Sequence, residues 1–267
     1  MKIAFLGAGN MGSALIAGAV RAKILKTSQV TAFDIKTEIL AGLKKKTGVR
    51  TVKTVREAVD GADYIFLCVK PQQMGELLAE VRDCIVARQC LVSIAAGVRT
   101  EKIEKAFAPR SVSVVRVMPN TPALLGFGAS AICGGKAAKP AQVKFVQKFF
   151  SAVGRTVTLP ESAFDAVTAV SGSGPAYVFY LAEALAQAAA SERLPAHEAA
   201  VLINQTILGA AQMLFGKDAP DELRKKVTSP GGTTEAAVQH LTDQKWREIF
   251  VEAVRKASER SRELSKI

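Results

Sequence analysis

The 267-residue sequence has few residues of the kinds on which hydrolytic and metal-dependent enzymes rely. Its two histidines, His197 and His240, stand at helix positions typical of surface or packing residues. No serine, histidine and aspartate form a recognisable set, no residues show metal-ligand spacing, and no close pair of acidic residues indicates hydrolysis. The sequence therefore predicts no metal site and a reaction that needs little acid–base machinery.

Cysteine and long apolar runs are also scarce. The cysteines contain no CxxC pair, and all but the second stand in predicted strands, where buried thiols are common: Cys68, Cys84, Cys90 and Cys133. A zinc site or disulfide framework is not indicated, and we expect a cytoplasmic location. The closest approach to a membrane span, residues 176–190, is interrupted by Glu183, so we expect no membrane partner.

Positive charge is in excess, with 36 basic against 24 acidic residues and a net charge of +12. Such a charge favours anionic ligands, for example a phosphorylated cofactor, and nucleic acid is the alternative. The basic residues are dispersed, with short clusters at residues 44–46 and 224–226, so we expect no nucleic-acid partner.

The N-terminal residues contain a dinucleotide-binding motif. An apolar strand leads into Gly-Ala-Gly-Asn-Met-Gly at residues 7–12, and a helix follows. Gly7 permits a tight turn, Gly9 lets a pyrophosphate approach the backbone, and Gly12 lets helix and strand pack closely. A second strand ends at Asp34, where the adenosine ribose would be read. A purely structural strand–turn–helix is the alternative, but this order of elements favours a dinucleotide at the helix N-terminus.

Strand and helix patterns alternate up to about residue 160. Continuous apolar runs predict buried parallel strands at residues 64–69, 90–94 and 113–117, with helices between them, including one at 74–87. Extended stretches at 129–133 and 155–159 flank another helix and close the sheet edge. We predict an α/β fold, with a Rossmann-type doubly wound sheet forming a dinucleotide-binding domain over residues 1–160.

Residues 161–267 show only helical patterns, beginning with a helix at 162–170. Two of these helices, residues 175–191 and 196–215, each hold a single charged residue and are apolar around nearly the whole circumference. A domain of this size cannot bury both within one chain. We therefore predict an all-α dimerisation domain whose helices pack against a second copy across a two-fold interface.

Ligands of an open α/β sheet bind beyond the carboxyl ends of its strands. Those ends carry Lys70, Asn120 and the small residues 95–97. Each alone is typical of an ordinary turn, but together they indicate a crevice with polar groups and room for a flat ring. The Asp34 carboxylate repels a 2′-phosphate and favours NADH, whereas Lys36 offsets that repulsion, so NADH and NADPH both stay open.

Two glycine-rich turns precede helices in the second domain, at residues 171–175 and 228–235. Free N–H groups at a helix N-terminus attract anions, and the glycines and threonines of the second turn add space and hydroxyl donors. This turn is a candidate socket for a substrate carboxylate, with two ordinary helix N-caps as the alternative. Hydride addition to an imine suits these residues, because a protonated C=N bond needs only positioning and a hydrogen bond to nitrogen.

Five motifs give the chain a resemblance to pyrroline-5-carboxylate reductases over essentially its full length. They are GAGNMG at residues 7–12, VKPQ at 69–72, VRVMPNTP at 115–122, SGSGPAY at 171–177 and VTSPGGTT at 227–234. The resemblance implies reduction of 1-pyrroline-5-carboxylate to L-proline with NADPH or NADH, the last step of proline biosynthesis. It also implies a Rossmann domain followed by a dimerising helical domain, with decamers in some members.

The resemblance, together with the predicted crevice, gives a set of site residues. The cofactor would be bound by Gly7, Ala8, Gly9, Asn10, Met11, Gly12, Asp34, Val69, Lys70, Pro71, Ala95 and Asn120. The substrate would be bound by Ser171, Val227, Gly231, Gly232, Thr233 and Thr234. Thr234 matches the hydroxyl that the family places against the imine nitrogen, which makes it the catalytic candidate. Asp34 departs from the family, in which many members carry a small or basic residue for the 2′-phosphate.

Two other functions stay open. One is another imine or hydroxy-acid reductase of the same architecture, although no lysine stands inside an apolar helix as in β-hydroxyacid dehydrogenases. The other is a non-catalytic dinucleotide-binding protein. Oxidation of NAD(P)H on addition of pyrroline carboxylate separates these possibilities.

Overall fold

A computed structural model describes residues 1–265 and contains one eight-stranded sheet. The strands are β1 (Ile3–Leu6), β2 (Val30–Phe33), β3 (Arg50–Thr51), β4 (Tyr64–Leu67), β5 (Cys90–Ser93), β6 (Ser113–Met118), β7 (Gly128–Gly134) and β8 (Gly154–Thr158). Their order across the sheet is β3-β2-β1-β4-β5-β6-β7-β8, parallel apart from the antiparallel pair β6 and β7. The first six strands have the order of a doubly wound Rossmann sheet, which confirms the predicted fold class.

Twelve α-helices accompany the sheet within the described residues. They are α1 (Asn10–Arg21), α2 (Thr37–Thr47), α3 (Val55–Val59), α4 (Met74–Val81), α5 (Thr100–Ala106), α6 (Pro140–Phe150), α7 (Phe164–Val167), α8 (Gly174–Ser191), α9 (Ala196–Met213), α10 (Pro220–Lys226), α11 (Thr233–Asp243) and α12 (Trp246–Leu264). None of the helices in this part of the chain is long and apolar enough to span a membrane.

Successive residues of each strand point to opposite faces of the sheet, which divides the core into two layers. On one face, the Phe66 ring lies 4.6 Å from both Phe5 and Phe149, measured between ring centroids. On the other face, Leu6 and Leu67 pack with buried residues of α3, α4 and α5. Both faces are therefore covered, as continuously apolar strands require.

The chain divides into two compact units, and the second is poorly covered. The first unit comprises residues 1–173 and the chain from Ala257 onward, and the second is Gly174–Lys256. In the second unit no residue of α8 is buried, and in α9 only Ala199 is. Phe179 and Tyr180 are 62% and 75% exposed. These apolar helices lack cover from the described residues, and such uncovered apolar surface is the condition from which the two-fold interface was predicted.

Three local predictions were wrong. The helix predicted at 162–170 is instead a 3-10 turn, the short α7 and a π-helix at Thr168–Gly172. A methyl group at Gly172 would lie 2.6 Å from the Met118 side chain, so this widened turn packs closely against the end of β6. The helix predicted at 74–87 ends at Val81, and Ile85 returns to the core at 2% exposure. Cys68 lies one residue beyond β4. Residues 266 and 267 of the predicted second domain lie outside the described residues.

Arg116 of β6 is a buried cation, 2% exposed. Its Nη1 lies 3.0 Å from Oε1 of Glu161, and its guanidinium carbon lies 4.8 Å from the centroid of the Phe164 ring. The Glu161 carboxylate also accepts hydrogen bonds from the amide and the hydroxyl of Thr100, each at 2.8 Å. Arg116 Nη2 has no hydrogen-bond partner among the described residues. Glu161 therefore joins β6 to the start of α5 and supplies the counter-ion that Arg116 needs.

We expect Glu161→Ala to lower the free energy of unfolding by about 3–5 kcal/mol, because it leaves a buried cation unpaired. Urea unfolding measures the loss. Glu101→Ala is the matched control, since Glu101 pairs only at the exposed surface, 2.8 Å from Lys105, and its loss should leave the unfolding midpoint unchanged. Equal effects of the two substitutions would contradict the role given to Glu161.

Candidate active site

The three glycines in the turn between β1 and α1 differ in their conformation and in the space around them. Gly7 has a φ of +101°, and a methyl group on it would lie 2.7 Å from the Cys68 carbonyl oxygen. A methyl group on Gly12 would overlap the Gly7 carbonyl oxygen. Around Gly9, in contrast, no atom lies within 4 Å of the position that a methyl group would take. The fold requires Gly7 and Gly12, whereas Gly9 leaves an open approach to the backbone at the start of α1.

This open approach fits a dinucleotide pyrophosphate. Gly9 precedes α1 without a side-chain cap, so the first N–H groups of the helix are free for an anion. Asn10 is exposed and Met11 is half-buried, so neither residue is enclosed by the core. The first turn of α1 holds no acidic side chain that would compete for the same position.

Asp34 binds the glycine-rich turn directly. Its Oδ2 accepts a hydrogen bond of 2.7 Å from the Ala8 amide, and its Oδ1 accepts one of 2.9 Å from the Lys36 amide. The Ala8 amide therefore points at a side-chain carboxylate. Sequence reasoning gave Asp34 a ribose-binding role and missed this second one, because the contact spans 26 residues and no local pattern signals it.

Two further strand ends lie beside this turn in the sheet. Beyond β4, Val69 is half-buried while Lys70 and Pro71 are exposed at the start of a 3-10 turn. Beyond β5, Ala95 is 3% exposed and packs in the core, so Ala96 is the more accessible residue of that turn. Because β4 is the neighbour of both β1 and β5, these three carboxyl ends lie along one edge.

Asn120 holds two segments of backbone together. Its Nδ2 donates a hydrogen bond of 3.0 Å to the Ser171 carbonyl oxygen, and its Oδ1 accepts one of 2.8 Å from the Ala129 amide. The structure thus brings together one predicted cofactor residue, Asn120, and one predicted substrate residue, Ser171. Both polar groups of the Asn120 side chain are engaged by the protein itself, so its first role is to order the end of β6.

The second glycine-rich turn belongs to the second unit and precedes α11. Gly231 has a φ of +71°, and its amide donates a hydrogen bond of 2.7 Å to Oε2 of Glu235. Gly232 is the N-cap residue, and Thr233 and Thr234 form the first turn of the helix. Val227, the last predicted residue of this set, follows α10 and is 57% exposed. Glu235 binds the Gly231 amide, which precedes the helix, and the N-cap residue Gly232 has no side-chain capping hydrogen bond.

The cysteines near the sheet ends stay protonated. Burial raises the pKa of Cys90 and of Cys133 to about 12 each, and burial also raises the pKa of Cys68, which stands beside the first turn. A protonated thiol is a weak nucleophile, so these side chains offer no thiolate chemistry. In the described part of the chain, no group of three His, Cys, Asp or Glu side chains could hold a metal ion.

Comparison with known proteins gives two family matches. The family described as pyrroline-5-carboxylate reductase dimerisation matches residues 161–264. The family described as NADP oxidoreductase, coenzyme F420-dependent, matches residues 2–97. The predicted boundary at residue 160 stays a prediction, since the compact units divide after Ser173.

Two relatives that match over nearly their full length are both named pyrroline-5-carboxylate reductase. The pyrroline-5-carboxylate reductase of Methanosarcina acetivorans is 42% identical over 266 residues, which cover 99% of this chain and 98% of that protein. The Pseudomonas aeruginosa protein of the same name is 41% identical, with 99% and 97% covered. Among solved structures, a pyrroline-5-carboxylate reductase from Coxiella burnetii has a TM-score of 0.92 at 35% identity, covering 100% of this chain and 99% of that chain. Plasmodium falciparum pyrroline carboxylate reductase with NADP bound has a TM-score of 0.88 at 30% identity, covering 99% and 98%.

The strand order and the open backbone beside Gly9 are those of a Rossmann dinucleotide-binding domain, and the match to the NADP oxidoreductase family defines the class of protein as an oxidoreductase. The identity of 42% over nearly the whole chain defines the family. The chain belongs to the pyrroline-5-carboxylate reductases.

We expect Gly9→Ala to raise the Kd for NADPH at least about tenfold while leaving the thermal midpoint nearly unchanged, because the added methyl group meets the cofactor and not the protein. Gly12→Ala is the comparison, and its overlap with Gly7 should destabilise the fold by about 1–3 kcal/mol. Cofactor fluorescence titration and thermal unfolding measure the two effects. Unchanged NADPH affinity in Gly9→Ala would remove the turn from the cofactor site.

Proposed function

We propose that this protein reduces 1-pyrroline-5-carboxylate to L-proline with NADPH or NADH, the last step of proline biosynthesis. The single observation that carries the proposal is the similarity to pyrroline-5-carboxylate reductases over 99% of the chain. The open, uncapped start of α1 supports it independently, because a reductase of this class needs a place for a pyrophosphate.

The first unit binds the cofactor in this proposal. The residues of the turn 7–12 hold the pyrophosphate on the free amides of α1, while Asp34 fixes the turn through Ala8. Val69, Lys70, Pro71 and Asn120 surround the ribose and nicotinamide end, with Ala96 in place of the buried Ala95. When bound, the reduced nicotinamide supplies a hydride to the imine carbon.

The second unit binds the anionic substrate. The N-terminus of α11 attracts the carboxylate through its helix dipole and the amides that follow Gly231, because the Gly231 amide itself is bound by Glu235. The Thr234 hydroxyl oxygen accepts a hydrogen bond from the protonated imine nitrogen and stabilises that protonated form, which makes the carbon electrophilic. Val227 and Thr233 belong to the same predicted substrate set, and Ser171, its remaining member, lies in the first unit. The product is a secondary amine, with the new hydrogen on carbon and the proton on nitrogen.

The helical domain dimerises, and we propose that α8 and α9 form the contact between copies. Their exposed apolar side chains, among them Phe179 and Leu202, suit an interface between identical chains. Assembly of such dimers into decamers and a cytoplasmic location belong to the same proposal, the latter resting on free cysteines that suit a reducing compartment.

The direct test is oxidation of NADPH or NADH, followed at 340 nm, on addition of 1-pyrroline-5-carboxylate, with proline identified as product. We expect turnover with this substrate and none with hydroxy acids. Turnover with a hydroxy acid or a different cyclic imine in place of pyrroline carboxylate would contradict the proposal, as would cofactor binding without turnover.

We expect Thr234→Ala to lower kcat by about 10–10³ fold, the scale of losing one positioned hydrogen bond or proton donor. Thr234→Ser keeps the hydroxyl and serves as the matched control, with kcat close to the wild-type value. Steady-state kinetics at saturating cofactor make the comparison. If Thr234→Ala kept the wild-type kcat, the residue would have no part in the reaction.

We expect Asp34→Ser to raise the ratio of kcat/KM with NADPH to kcat/KM with NADH by about tenfold, because a carboxylate near the adenosine ribose repels a 2′-phosphate. Loss of the bond to Ala8 weakens both cofactors together, so the ratio isolates the charge effect. Assays with each cofactor give the ratio, and an unchanged value would show that Asp34 acts only on the turn.

A further inference from the structure

One face of α12 near its C-terminal end is buried, although most of the helix is exposed. Only Ser258 and Ser261 are buried among the residues of α12, with exposures of 9% and 4%. Trp246 and Ile249 near its start are 48% and 64% exposed. Two small hydroxyl residues therefore mark the place where this helix packs, and both belong to the first compact unit.

The surface beneath this helix end is the turn that follows β5. Gly97 has a φ of +75°, and a methyl group on it would lie 3.4 Å from Leu264 Cβ and 3.5 Å from the Ser265 amide nitrogen. The helix end thus lies in near contact with the backbone of the turn. Gly97 is needed there for its positive φ.

The Asp165 carboxylate contacts both the end of α12 and Arg99 in the turn after β5. Oδ1 of Asp165 accepts a hydrogen bond of 2.7 Å from the Ser261 hydroxyl. Oδ2 lies 3.9 Å from Nη2 of Arg99, the residue immediately before α5. The Asp165 side chain is only 17% exposed, so this hydrogen bond is shielded from water.

Thr100, the next residue after Arg99, is also bound by a carboxylate from the segment that contains Asp165. Glu161 precedes Asp165 by one helical turn and bonds both the amide and the hydroxyl of Thr100. Residues 95–100 are therefore contacted from two sides. The end of α12 packs on Gly97, and the carboxylates of Asp165 and Glu161 contact Arg99 and Thr100. The Ser261 hydroxyl connects α12 to these contacts through its hydrogen bond to Asp165.

We propose that Ser261 and Asp165 are positioning residues that fix the 95–99 turn and thereby set the affinity for the nicotinamide end of the cofactor. The inference rests on the proposed function, which puts this strand end in the cofactor crevice. Ser261 lies inside the 161–264 match to the dimerisation family. A residue of that match thus acts on cofactor binding rather than on dimerisation alone.

The test compares Ser261→Ala with Ser261→Thr, which keeps the hydroxyl, and with Glu263→Ala. Glu263 stands two residues away on an exposed face and pairs with Arg260. NADPH affinity is measured by fluorescence titration without substrate, and kcat and both KM values by steady-state assay. Thermal unfolding of each variant shows whether the fold is intact.

We expect Ser261→Ala to raise the Kd and KM for NADPH by about 3–10 fold, the scale of one typical hydrogen bond, and to leave kcat at saturating cofactor within about twofold of the wild-type value. Ser261→Thr and Glu263→Ala should keep wild-type affinity. Asp165→Ala provides a second approach and should raise the same Kd at least as much as Ser261→Ala does.

A cofactor Kd for Ser261→Ala equal to that of Glu263→Ala would overturn the inference, even with a lowered melting temperature, since the role would then be structural only. A change confined to the KM for pyrroline carboxylate would also overturn it. Wild-type enzyme that binds NADPH without reducing pyrroline carboxylate would overturn the proposed function alone, because affinity is read without substrate. Wild-type enzyme that binds neither nucleotide would overturn both.

Discussion

The close approach of three backbone segments at Gly7 is the constraint on which the cofactor domain depends. The Gly7 amide donates a hydrogen bond of 2.8 Å to the Phe33 carbonyl oxygen at the end of β2, and the Cys68 carbonyl just beyond β4 fills the space that a side chain on Gly7 would need. Helix α1 packs onto the Gly7 carbonyl through Gly12. No side chain can be inserted at Gly7 or Gly12 without separating these elements, and their contact aims the N-terminus of α1 beyond the sheet edge.

Polar residues near that edge act first on the protein. Asp34 and Asn120 each use both side-chain polar groups to hold backbone at the strand ends. Glu161 binds the Thr100 amide after β5, whereas Asp165 contacts the side chains of Ser261 and Arg99. Turns that hold amides ready for a ligand need such support, because a mobile turn would have to be ordered at the cost of affinity. The site therefore consists of glycine-rich backbone, with carboxylates and amides supporting it from behind.

The sequence predicts the features that depend on local pattern. Apolar runs such as residues 64–67 and the glycine spacing at 7–12 were enough to predict the strands, the sheet class and the first turn, since each depends on neighbours in sequence. The Arg116–Glu161 pair spans 45 residues and the Ser261–Asp165 bond spans 96, so no periodicity signals them. The π-helix at Thr168–Gly172 escaped prediction for the same reason, because its packing partner Met118 lies on another element. The substrate-binding and catalytic roles of Val227 to Thr234 stay predictions.

The central claim is that the free amides at the start of α1 bind the cofactor pyrophosphate. A crystal structure of the protein with NADPH tests it most directly. We expect pyrophosphate oxygens within about 3 Å of the Asn10 or Met11 amide nitrogen, directly above Gly9. A nucleotide bound with its pyrophosphate at any other surface of the protein would contradict the claim.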